Sequence, residues 1–66
     1  MSDALPAEFV DALASDADAR AGFEALPPSH QREYATWIAE AKRDDTRERR
    51  VAKALEMLRA GTKTPD

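Results

Sequence analysis

The chain has 66 residues and 7.3 kDa, with 13 acids against 10 bases for a net charge of −3, and it contains no cysteine. A chain this short makes one small domain that buries only about 60% of its unfolded surface, so a deep enzyme pocket is not expected. The missing cysteines remove a disulfide framework, a thiolate metal site and a thiol nucleophile together, and neither metal nor cofactor is expected.

A domain this small that does without disulfide staples fits a reducing compartment, and a cytoplasmic location is expected. The opening MSDALPAEFV has no basic n-region and no apolar run, so no signal peptide is expected. No apolar stretch reaches 18 residues, so no membrane span is expected either. The charge is unevenly placed. Residues 1–31 carry six acids against Arg20 alone, giving −5, and residues 32–66 carry nine bases against seven acids, giving +2.

Four helical segments follow one another between turn and cap signals. Pro6 suits the first helical position of a segment with Phe9, Val10 and Leu13 as its apolar face. Ser15 with Asp18 three residues on has the spacing of a capping box, opening a second helix to about Leu26 with Ala19, Phe23 and Leu26 on one side. Pro27-Pro28 ends it and Pro28 can start the third. There His30, Tyr34, Trp37, Ile38 and Ala41 fall within an arc of about 100°, while Ala35 lies away from it. Asp45 and Glu48 have the spacing of a second capping box. The fourth helix then runs to about Ala60 with Val51, Ala54, Leu55 and Leu58 as its stripe and Met57 on the shoulder. Gly61 suits a left-handed C-terminal position, and residues 62–66 read as a frayed tail after an ordered core of about 5–61.

The expected fold is all-α: one domain over 1–66, a small compact bundle of about four helices with a central antiparallel helical hairpin made by the third and fourth. Tyr34, Trp37, Ile38, Val51, Leu55 and Leu58 are its expected central core, with Phe9, Leu13, Phe23 and Leu26 closing it. The exposed strip of Met57 and Ala54 is the expected seam should the chain dimerise.

Arg47 breaks the pattern, since on a helical wheel it lies between Val51, Ala54 and Leu58 inside the apolar stripe. A charge there must be paired or stacked, and Glu33, Glu40 or the Trp37 ring are the expected partners. Arg50 lies about 60° further round and is expected to be more exposed. The functional alternative is an anion or partner site built from Arg47 and Arg50. His30 lacks the partner and cleft that a general base needs and the second ligand that a metal needs, so a half-buried structural role is expected. Tyr34 and Trp37 offer a ligand platform, but with only four aromatics in the chain they are first of all core.

Lys42, Arg43, Arg47, Arg49, Arg50 and Lys53 form a basic run. Asp44, Asp45, Glu48 and Glu56 interleave it and the pI is near 5.0, so nucleic acid is not an expected partner. No Gly-rich loop and no nucleophile–base arrangement stands out, so no catalytic residue is assigned and the chain is expected not to be an enzyme. The candidate interaction or anion site is therefore His30, Tyr34, Trp37, Arg47, Arg50 and Lys53. An unidentified protein, or a second copy of the chain, is the expected partner. Weak anion or nucleic-acid binding through the basic face of the fourth helix is the alternative.

The stretch Phe23-Glu24-Ala25-Leu26-Pro27-Pro28-Ser29-His30-Gln31-Arg32-Glu33-Tyr34, with Trp37-Ile38, Glu40-Ala41-Lys42 and Thr46-Arg47-x-Arg49-Arg50, resembles the bacterial YdeI/OmdA family, described as bacteriocin-protection, YdeI or OmpD-associated proteins. Lys53, Met57, Leu58 and Gly61 also stand where that family's pattern has them, and the likeness spans about residues 4–62. The resemblance implies a helical unit that often follows a β-rich domain in longer proteins, with no reaction attached. It also implies a link to envelope stress or protection against antimicrobial peptides. Here Pro27 replaces a capping Ser, Gln31 an Arg, and Asp44-Asp45 a Pro-Glu pair. Thr62-Lys63 is what remains of a closing basic pair.

Overall fold

The computed structural model describes residues 5–62. Among them are four α-helices and no strand: α1 over Ala7–Ala14, α2 over Ala17–Glu24, α3 over Pro28–Ala39 and α4 over Asp44–Arg59. The all-α bundle expected from the periodicity is what forms. Its boundaries move by a residue or two, and the caps account for each shift.

Pro6 is the residue before α1 rather than its first, with φ −56° and ψ 141°, and its carbonyl accepts from Phe9 and Val10 N–H. Asp16, not Ser15, caps α2: its Oδ1 accepts from Ala19 N at 3.1 Å, while Ser15 Oγ turns back to the Asp11 carbonyl at 3.3 Å. Pro28 does open α3, preceded by Pro27, which offers no side-chain cap. Gln31 serves the other side of this break. Its Nε2 donates to the carbonyls of Phe23 (3.0 Å) and Leu26 (3.2 Å), satisfying the end of α2. α4 starts at Asp44, one residue before the expected capping box, so Asp44 and Asp45 both lie in its first turn, where the helix dipole favours negative charge.

The end of α4 is a Schellman motif. Gly61 takes φ +84°, its N–H bonds the Leu58 carbonyl at 3.1 Å, and Thr62 N–H reaches the Met57 carbonyl at 2.9 Å. Tyr34 Oη then donates to the Thr62 carbonyl at 2.8 Å. Thr62 is thus part of the ordered body, a correction to the frayed tail expected from 62 onward. Residues 63–66 of that tail lie outside the described residues.

The bundle is organised around α4, which packs on all three other helices, rather than around a hairpin of α3 and α4 alone. Phe9, Ala19, Tyr34, Ile38 and Ala54 are fully buried, joined by Leu13, Phe23, Val51 and Leu58. Phe9 meets Phe23 edge to face at 5.3 Å between ring centroids, and Phe23 meets Tyr34 at 6.5 Å. Four expectations need correction. Trp37, Leu55 and Leu26 pack at the margin, half-buried, and on the third helix it is Tyr34 and Ile38 that turn fully inward. Ala54, expected on an exposed seam with Met57, is fully buried, and Met57 packs half-buried against the core, so that seam does not exist. Ala35, placed off the apolar arc, is buried. Val10, counted in the apolar face of α1, is 46% exposed.

α2 and α4 approach most closely at Gly22. A Cβ built there would stand 2.4 Å from the Leu58 carbonyl oxygen, a separation only glycine permits.

Candidate functional site

A helix leaves its last carbonyls without intrahelical partners, and at the end of α3 two arginines from α4 supply them. Ala41 N–H bonds the Ile38 carbonyl at 3.1 Å, which frees the Trp37 carbonyl. Arg50 Nη1 donates to that oxygen at 2.5 Å, and its Cζ stands 5.4 Å from the Trp37 ring centroid. One turn earlier on α4, Arg47 Nη2 donates to the Ala41 carbonyl at 3.0 Å while Nη1 reaches Glu8 Oε2 on α1 at 3.3 Å. The planar guanidinium suits both tasks, since one fork serves two acceptors.

Arg47 is therefore paired, as its place in the stripe requires, but with Glu8 and a carbonyl instead of Glu33, Glu40 or Trp37. Arg50, the residue expected to be exposed, is the one lying on Trp37. The wheel placed both side chains by angle alone. It could not register that each is long enough to cross to a neighbouring helix. Sequence reasoning missed Glu8 because nothing local ties the first turn of α1 to a residue 39 positions on. It missed a second tether for the same reason: Arg59 Nη1 bonds Asp16 Oδ2, joining the end of α4 to the cap of α2.

The other expected site residues are spread out. Tyr34 is fully buried and hydrogen-bonded, and burial pushes its phenol above the ordinary tyrosine range. His30 is half-buried, with a buried Nδ1 3.9 Å from Glu33 Oε1, too far for a hydrogen bond. Lys53 is exposed and pairs with Glu56 at 3.4 Å. Arg43 and Arg49 both turn to Asp45. Of the six candidates, Trp37, Arg47 and Arg50 come together at the end of α3, in a junction where Arg47 Nη1, Arg47 Nη2 and Arg50 Nη1 have protein acceptors while the buried Arg47 Nε has none.

Two carboxylates register these tethers. The backbone N–H of Glu8 and then the Arg47 guanidinium hold the Glu8 carboxyl below the ordinary range. Ala19 N–H, with Arg59 adding to it, does the same for Asp16 against the opposing effect of desolvation.

What the bundle leaves open is apolar. A cleft of about 340 Å³ runs between α1 and α2, with Val10, Leu13 and Ala14 on one wall and Phe23 on the other, flanked by Arg20 and Glu24. Leu5, Phe23 and Gln31 carry it into a second hollow of about 200 Å³ beside Pro28 and Ala35 on α3. No group of three or more metal-ligating side chains occurs among the described residues, and no helix there is long and apolar enough to cross a membrane.

The architecture defines a small all-α bundle whose fourth helix tethers the other three through arginines. Its sequence matches the profile of the family described as Bacteriocin-protection, YdeI or OmpD-Associated over residues 4–61, and the chain belongs to that family. Trp37-Ile38 and Thr46-Arg47-x-Arg49-Arg50, two of the blocks that carried the resemblance, fall at the junction of α3 and α4. No curated protein and no solved structure is significantly similar to the chain.

Proposed function

We propose that the chain is a non-catalytic interaction module of the cytoplasm whose binding face is the apolar cleft between α1, α2 and α3. The observation behind this reading is a division of labour. Arg47, Arg50 and Arg59 are engaged within the fold, whereas Val10 stands 46% exposed beside Leu5 and Phe23. A concave apolar surface with an aliphatic side chain open at its wall is the kind of surface a partner can cover. The family's description names bacteriocin protection and OmpD association. In this reading a protective or envelope-linked effect works by binding a protein, not by changing a substrate. Anion or nucleic-acid binding through Arg47, Arg50 and Lys53 has less support, because two of these guanidiniums would have to leave acceptors they already hold.

Affinity capture from the native cell with wild-type and Val10→Asp baits tests the proposal. Val10→Asp should keep the helical signal, because the side chain is exposed, and should lose proteins that the wild type retains. Identical retained sets from the two baits would overturn it.

A further inference from the structure

We infer that the face carrying the cleft is a self-association surface, packed against the same face of a second copy across a twofold axis at the level of residue 22, on the side of α2 away from the Gly22–Leu58 contact. This rests on the reading of the cleft as the binding face, and the charges on its rim identify the occupant. Arg32, Arg43, Arg47, Arg49, Arg50 and Arg59 all have interactions within the chain. Arg20 is the arginine with none among the described residues. Glu24, one turn further along α2, likewise has none, although the two lie at the i, i+4 spacing that often pairs. Both line the same wall of the cleft beside Phe23.

Two unpaired charges of opposite sign, symmetric about residue 22, are self-complementary. When a second α2 is laid antiparallel against the first, Arg20 of each copy faces Glu24 of the other, and the twofold makes two such pairs from one. A partner of uniform charge would satisfy one of them and repel the other. The same operation brings Val10 of each copy toward the other's cleft and removes its exposed surface from water. The polar rim sets orientation and the apolar centre supplies the attraction, as in other protein interfaces.

Sedimentation equilibrium on the purified chain over a hundredfold concentration range tests the inference. Wild type should rise from 7.3 kDa toward twice that mass. Arg20→Glu and Glu24→Arg should each move the association midpoint to roughly tenfold higher concentration or more, since each puts like charges opposite one another. The double variant Arg20→Glu/Glu24→Arg should return it close to wild type. All three variants should keep the wild-type helical signal at the lowest concentration. A constant monomer mass overturns the proposal, as does a dimer indifferent to the single swaps or one that the double swap fails to restore. If the mass stays monomeric while the Val10→Asp bait still loses captured proteins, the cleft serves a different protein and only the self-association fails.

Discussion

Arg47 is where a charge inside an apolar stripe is reconciled with the core around it. Its side chain remains 30% exposed, and the guanidinium divides between the Glu8 carboxylate and the Ala41 carbonyl. A lysine offers one compact ammonium in place of a fork and can satisfy only one of the two acceptors. Arg47→Lys should therefore lower stability by about 1 kcal/mol, the worth of one hydrogen bond. A urea midpoint identical to wild type would show that the Ala41 contact contributes nothing. Trp37 and Ile38 give a second comparison at this scale. Ile38 is fully buried, whereas Trp37 sits at the margin under Arg50. Ile38→Ala should cost roughly 2–5 kcal/mol and in so small a domain should unfold it. Trp37→Ala removes the larger side chain yet should cost less, with much of the helical signal surviving at room temperature. The opposite ranking in circular-dichroism melts would return Trp37 to the centre of the core.

The four helices were legible in the sequence because their signals are local: an apolar period, paired prolines at 27 and 28, and short polar residues at the breaks. Which helix would be central was not legible, because that depends on how closely two backbones can approach. Gly22 held the clue. A glycine inside a helix costs about 1 kcal/mol relative to alanine, so one that has no turn to make has a packing reason to be there. Here α2 lies against α4 with Leu58 directly over the glycine. On propensity alone Gly22→Ala should stabilise. With its Cβ 2.4 Å from a backbone oxygen, the two helices must move apart around the buried Ala19 and Ala54. The net effect should be a loss of roughly 1–3 kcal/mol, the usual cost of overpacking. A higher melting temperature in Gly22→Ala would show that the crossing has slack. The candidate site was less legible than the fold for a related reason: Arg47, Arg50 and Arg59 were visible as charges, but their acceptors are a carbonyl or a carboxylate on another helix.

At the scale of the whole molecule, the split between an acidic first half and a basic second half adds two tethers between helices that the apolar core packs together. Glu8 on α1 and Asp16 at the cap of α2 meet Arg47 and Arg59 on α4, across 39 and 43 residues of chain. Both carboxyls are held below the ordinary range in the folded chain, so the unfolded chain takes up protons first as pH falls. The stability they contribute is complete above the ordinary carboxylate values and is lost as pH drops through the folded-state ones. The melting temperature should be level from about pH 7 to 5 and fall below about pH 4.5. Asp16→Asn separates the two roles of that residue, since asparagine caps a helix as well as aspartate does but carries no charge for Arg59. Its acid limb should be shallower than that of wild type, with α2 intact. Tyr34 adds a contribution on the alkaline side. Burial raises its phenol above the usual value, so the stability it confers is full below about pH 10 and is lost as pH climbs through the raised value. Tyr34→Phe should lose about 1 kcal/mol at neutral pH with the Thr62 bond and should lack the alkaline step. An acid limb unchanged by Asp16→Asn, or an alkaline step that survives in Tyr34→Phe, would mean that other groups set the pH limits of this fold.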